Sequence, residues 1–281
     1  MKMPNIAVLP SLVTLGNAVC GFAAMAWIAR SGPLVVDGQI NPATVNAFAL
    51  SAYLIFLAMV FDALDGRVAR FARATSDFGG QLDSLSDAVS FGAAPGLLAY
   101  RLVADVIPAG NVVRLTMILA AAYAGCAILR LARFNVENVH DEEAHMAFRG
   151  LPSPAAAGAL AGLVALLMSL CHGLETLPTV ALYLVWSLPA SALILGLLMV
   201  STVRYTHLVN QLIRGRRPLR HLVFLVLLVL LVIWQKERVL AILFVAYALS
   251  GPVLLAYRKT AHALRSNSSR AAVRREDRGE A

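Results

Sequence analysis

Apolar residues in this chain come in long runs, without the one-faced or alternating patterns of a soluble fold. Uncharged or nearly uncharged runs fall at 11–29, 44–64, 83–104, 112–130, 154–171, 178–200, 220–235 and 239–257. A hydrocarbon core about 30 Å thick takes roughly 20 apolar residues as a helix. The pattern therefore predicts an all-α integral membrane protein of about eight transmembrane helices. Residues 1–203 hold six of them as a core, 204–257 hold two more, and 258–281 form a basic tail expected to lack regular structure. The runs at 112–130 and 220–235 are short between their charges. Snorkelling of Arg114, Arg130, Arg220 and Lys236 extends them to full thickness.

Composition agrees with that pattern. Apolar residues make up 59% of the chain and charged residues 14%, well below the roughly 25% of soluble domains. The mean hydropathy is +0.72. A net charge of +8 suggests a nucleic-acid partner until it is mapped onto the spans. Nineteen of the 24 Lys and Arg residues then fall in the N-terminus, alternate loops and the tail, against five on the opposite side. That asymmetry places both termini in the cytoplasm, in the cytoplasmic membrane, and assigns the positive charge to topology and anionic lipid. Cys20, Cys126 and Cys171 lie in apolar segments without metal-ligand spacing and read as small buried hydrophobes.

Chemistry concentrates in FDALDGRVARFARATSDFGGQLDSLSDAVSFG, residues 61–92. Asp62 and Asp65 are spaced i, i+3, and Asp83 and Asp87 i, i+4, so each pair shares a helical face. A short loop joins their helices, making them antiparallel, and four carboxylates converge at one membrane boundary. Asp83 and Asp87 sit in the first turns of a span, where the helix dipole favours anions; Asp62 and Asp65 sit at a C-terminal end, where it does not. A carboxylate at a helix centre costs about 2.5–3.5 kcal/mol on insertion scales, less toward the interface. Hard divalent cations such as Mg²⁺ or Mn²⁺ suit an all-oxygen site that needs this compensation. Gly66 and Ala69 remove bulk beside the acids, and Gly79 and Gly80 are expected to let the chain turn sharply before the next span. Ala88, Gly92 and Gly96 form a small-residue stripe suited to close helix packing, and Pro95 is placed to kink the same helix.

Eight fixed residues at fixed spacing, Asp62, Asp65, Gly66, Ala69, Arg70, Gly79, Asp83 and Asp87, resemble the signature of the CDP-alcohol phosphotransferase family. The resemblance implies two divalent metal ions, Mg²⁺ or Mn²⁺, held by Asp62, Asp65, Asp83 and Asp87, with Asp87 also the general base. Gly66, Ala69, Arg70 and Gly79 are implied to bind the CDP-linked donor, CDP-diacylglycerol, and a homodimer is implied as the assembly. An alcohol is a poor nucleophile at neutral pH, so a carboxylate that takes its proton suits this chemistry.

The family uses several acceptors. LPSLVTLGNAVCGF at 9–22, LRLARFNVE at 129–137 and GLPSPAAAG at 150–158 resemble the phosphatidylserine synthases within it, which makes L-serine the expected acceptor. Thr14 and Asn17 are assigned to the surroundings of the donor or of serine, and Arg130, Arg133 and Asn135 to the acceptor, an arginine clamping the carboxylate. Glycerol phosphate or inositol phosphate as acceptor, and an ether-lipid donor, remain alternatives. A transporter that uses intramembrane acids for coupling is the rival from another class. Acids gathered at one interface, with no inverted repeat, argue against it.

Overall fold

The computed structural model describes residues 8–71, 77–107, 109–140, 150–203, 205, 231 and 234–276. Hydrocarbon offers no partner to backbone N–H and C=O groups, so each apolar run bonds to itself as a helix. Helix α1 (Val8–Arg30) is followed by α2 (Pro42–Phe71), and the two form a hairpin. Two short strands, β1 (Val35–Val36) and β2 (Gln39–Ile40), turn the chain between them. Their turn is Asp37-Gly38 with φ of 50° and 79°, the paired positive values of a type I′ hairpin.

Helix α3 (Asp77–Asp87) passes into a π-helical turn (Ala88–Ala93) and then α4 (Ala94–Val106). After these come α5 (Gly110–His140), α6 (Ser153–Cys171), α7 (Thr179–Val200) and α8 (Lys236–Glu276). The β-hairpin meets the α6–α7 connection, with Ile40 N–H donating to the Glu175 carbonyl at 2.8 Å.

The expected eight-helix arrangement is corrected here. Among the described residues six helices are long and apolar enough to cross a membrane: Pro10–Arg30, Pro42–Val68, Gly110–Val136, Ser153–Cys171, Thr179–Val200 and Lys236–Tyr257. The run 83–104 is not one α-helix. It is divided among α3, the π turn and α4, and neither α3 with 11 residues nor α4 with 13 is long enough by itself to count among the six. Hydropathy does not register such a break. Most of the run 220–235 lies outside the described residues. The tail is corrected as well: α8 continues to Glu276 where an irregular segment was expected. Ala261, Ala263, Leu264, Ala271 and Ala272 are strong helix formers that extend a helix already nucleated in the apolar segment.

Helix α6 is the centre of the packing, with 72% of its apolar window buried against 17–33% for the other five. Its sequence SPAAAGALAGLVALLMSLC explains this, because alanine and glycine let neighbouring backbones approach. A Cβ on Gly158 would lie 2.5 Å from the Phe244 ring, and one on Gly162 would lie 2.9 Å from Ala241 Cα, so α8 is seated on these glycines. These pairings run in opposite directions along the two helices, which makes α6 and α8 antiparallel.

Candidate active site

The α1–α2 hairpin brings Thr14 and Asn17 to the level of Asp62 and Asp65, and α3 packs against α1 to add Asp83 and Asp87. One carboxylate oxygen from each of Asp62, Asp83 and Asp87 lies within 4.8 Å of the other two. The fourth acid, Asp65, comes within hydrogen-bonding range of Asp83, and the Thr14 side chain reaches Asp65. Asp65 is 6% exposed and Asp87 7%.

Like charges 4 Å apart repel by about 4 kcal/mol even at an effective dielectric constant near 20. Two carboxylates as close as Asp65 and Asp83 need a proton or a cation between them. Arg130 contributes one positive charge, close enough to act on both Asp62 and Asp87. Arg130 by itself does not balance four acids. Moreover, Asp65 Oδ2 and Asp83 Oδ1 are buried without a hydrogen-bond partner among the described residues. Orphaned carboxylate oxygens in an all-oxygen donor set fit a hard divalent cation. Asp62, Asp83 and Asp87 can hold one such ion.

Asp87 is held in place from α1. Asn17, fully buried, donates from Nδ2 to Asp87 Oδ1 at 2.9 Å. The Ser90 hydroxyl, in the π turn, donates to the Asn17 carbonyl at 2.8 Å. Gly21 makes this approach possible, since a Cβ there would lie 2.6 Å from Ser90 Cα. The π turn follows from Pro95, which has no N–H to offer the Phe91 carbonyl four residues back. That carbonyl instead accepts the buried Tyr123 hydroxyl at 3.0 Å, and Ala94 N–H bonds five residues back to Val89. Such turns recur at functional sites because they re-aim neighbouring side chains. The stripe of small residues belongs to packing: a Cβ on Gly92 would sit 3.3 Å from Ala127 Cβ, and one on Gly96 3.0 Å from the Ala120 carbonyl, both on α5.

The residues expected around the acceptor lie on α5. Arg130 Nη1 donates to Ser153 Oγ at 2.9 Å, while its Nε is buried without a partner among the described residues. Asn135 and Ser84 exchange hydrogen bonds at 2.9 and 3.2 Å, which ties α5 to α3 one residue from Asp83. Arg133 is partly exposed on the same helix. Gly66 faces open space: a Cβ there would meet no atom within 4 Å. Ala69 and Arg70 lie on the last turns of α2, and their side chains are outside the described residues. Gly79 and Gly80 do not form the expected sharp turn: both are in the first turns of α3, and neither has positive φ.

Sequence reasoning missed Ser84, Ser90 and Ser153 as partners of site residues, although Ser153 sits within the GLPSPAAAG stretch. It also missed Tyr247 of α8, close enough to act electrostatically on Arg130.

Comparison with known proteins gives a consistent picture. A family profile described as CDP-alcohol phosphatidyltransferase matches residues 7–191. A CDP-diacylglycerol–serine O-phosphatidyltransferase of Methanocaldococcus jannaschii is 38% identical over 167 residues, 59% of this chain and 67% of that protein. The enzyme of that name from Helicobacter pylori is 40% identical over 159 residues, covering 56% and 61% of the two chains. The one from Mycobacterium tuberculosis is 36% identical over 172 residues, 60% of this chain but about half, 53%, of the relative.

Proposed function

We propose, because this chain belongs to the CDP-alcohol phosphatidyltransferase family, that it transfers the phosphatidyl group of CDP-diacylglycerol to the hydroxyl of L-serine. The products are phosphatidylserine and CMP. The observation that carries this reading is the meeting of three carboxylates within 4.8 Å, beside the half-buried Arg130, in a membrane-embedded bundle.

Asp87 is the general base. Asn17 holds its carboxylate in place, so it can take the serine hydroxyl proton as the oxygen attacks the lipid-side phosphorus. The bond from that phosphorus to the CMP oxygen breaks as the new one forms. Asp62, Asp65, Asp83 and Asp87 are the residues that would hold two divalent ions. Mg²⁺ or Mn²⁺ in such a pair supplies charge stabilisation to the attacking and leaving oxygens. The open space at Gly66 admits the nucleotide to the α2 backbone, with Ala69, Arg70, Gly79 and Thr14 around it. Arg130, on its Ser153 anchor, pairs with the serine carboxylate, and Arg133 and Asn135 line the same side.

Arg67, Arg130 and Arg133 lie at the aspartates' end of the bundle, as do the first half of α1 and the end of α8 that leads into its basic residues, which supports a cytoplasmic-membrane protein with the aspartates and both termini on the cytoplasmic side. That placement equally supports lipid, and not nucleic acid, as the partner of the basic residues. The family resemblance supports a homodimer.

The test is to incubate purified protein with CDP-diacylglycerol, Mn²⁺ or Mg²⁺ and a panel of acceptors, and to identify the lipid made by mass. Serine-dependent release of CMP with formation of phosphatidylserine is expected. Product formed only with glycerol phosphate or inositol phosphate refutes serine as acceptor, and no CMP release with any acceptor refutes the transferase.

A further inference from the structure

We infer that Asn17 recognises the acceptor's ammonium group, so that one buried amide both orients the base and selects a 2-amino alcohol. This rests on the proposed transfer to serine and deepens it. Asn17 has no exposed surface, and its Nδ2 donates to Asp87 Oδ1 at 2.9 Å. A carboxylate only accepts hydrogen bonds, so the amide must turn its nitrogen toward Asp87 and its oxygen away. That oxygen is buried and has no hydrogen-bond partner among the described residues. Any swing of the side chain to find one breaks its bond to Asp87. The Asn17 backbone carbonyl is pinned by the Ser90 hydroxyl at 2.8 Å, and Gly21 one turn later is in close contact with the same π turn.

A free acceptor therefore lies one amide group away from the oxygen that takes the hydroxyl proton. In a 2-amino alcohol the hydroxyl and ammonium are on adjacent carbons, so a molecule whose hydroxyl faces Asp87 can present N–H donors to Asn17 Oδ1. Arg130 supplies the third point, a carboxylate partner held by Ser153 at 2.9 Å. Three contacts of different polarity, to base, amide oxygen and guanidinium, match the three polar groups of serine. A glycerol or inositol phosphate carries no ammonium to place at Asn17.

The test compares L-serine with 3-hydroxypropionate, which keeps the hydroxyl and carboxylate but lacks the ammonium. KM for both, equilibrium binding of labelled serine, and thermal unfolding are measured on the full-length protein in nanodiscs, as wild type, Asn17→Ala and Asn17→Ser. A hydrogen bond from a charged group corresponds to about a 10- to 150-fold change in affinity. The wild type should favour serine by about that factor. Asn17→Ala should raise the serine KM and dissociation constant by a similar factor and leave the KM for 3-hydroxypropionate nearly unchanged. The ratio of the two KM values does not depend on how much protein is folded, so a partly unstable variant still reports.

A residue that only positions Asp87 lowers kcat for both acceptors and leaves that ratio alone; this outcome overturns the inference. So do equal KM values in the wild type, which need no variant at all. If wild-type protein does not use serine, the proposed function falls and the inference with it. If serine is used but the ratio does not move, the inference alone falls.

Discussion

Replacement of Gly21 by alanine tests the link between helix packing and the base. The new Cβ would lie 2.6 Å from Ser90 Cα where ordinary contact begins near 3.4 Å, a shortfall of about 0.8 Å. The obstructing atom is backbone, so no rotamer change relieves it, and Ser90→Gly in the same protein should not restore it. Helix α1 and the π turn must move apart. Asn17 is one turn before Gly21 on the same helix face, so the displacement reaches its 2.9 Å bond to Asp87 and carries it to about 3.7 Å, past useful length. Overpacking of this kind costs about 1–3 kcal/mol of stability. A catalytic group misplaced by about an ångström loses on the order of 10²-fold in rate. Turnover is read from CMP release and stability from thermal unfolding of the purified protein. Wild-type turnover with an unchanged Tm would refute the reasoning. Gly66→Ala is the companion: its Cβ meets nothing within 4 Å, so stability should hold while the KM for CDP-diacylglycerol rises.

Asp87→Asn keeps the side chain's size but removes the base, and turnover should drop by about 10²–10⁴-fold with a smaller change in donor binding; unchanged turnover would remove Asp87 from the mechanism. Excess chelator should abolish activity reversibly, because the acids around Asp83 then lack a counter-charge; full activity with metal content measured as nil would contradict this. Arg130→Ala should raise the serine KM by about 10- to 150-fold, and Arg130→Lys should recover part of it, since lysine keeps the charge without the planar fork. An unchanged serine KM in Arg130→Ala would make the arginine a structural counter-charge to Asp62 and Asp87 alone.

The acidic site was legible because its information is local. Pairs of aspartates three and four residues apart must share helix faces, and a short loop must fold those faces together. Burial of apolar runs announces a membrane bundle in the same way. What was illegible depends on partners distant in sequence. Asn17 and Asp87 are 70 residues apart, and nothing in the local pattern around either says that they bond. Asn17 was therefore assigned to ligand surroundings, with no hint that it orients the base. The Ser84–Asn135 pair, 51 residues apart, was hidden for the same reason. The eight-helix count failed at 83–104 because an apolar window averages over Pro95 and the change of helical register before it. The αL turn at Asp37-Gly38, by contrast, is an Asp-Gly signal that could have been read.

The π turn at Ala88–Ala93 has an evolutionary consequence. It is a local excess of chain within an otherwise α-helical path, and each residue of an α-helix turns the face by about 100° and advances it by about 1.5 Å. An i→i+5 turn takes about one residue more than an α turn to come round, so deleting one residue there would restore regular geometry and leave Asp83 and Asp87 near their present phase against Gly92 and Gly96. What the deletion removes is the bulge itself, and with it the aim of Ser90 at the Asn17 carbonyl. That aim is thus set by chain length and not by any one side chain. Scans of single substitutions never sample that variable, whereas one-residue deletions across this stretch change it directly.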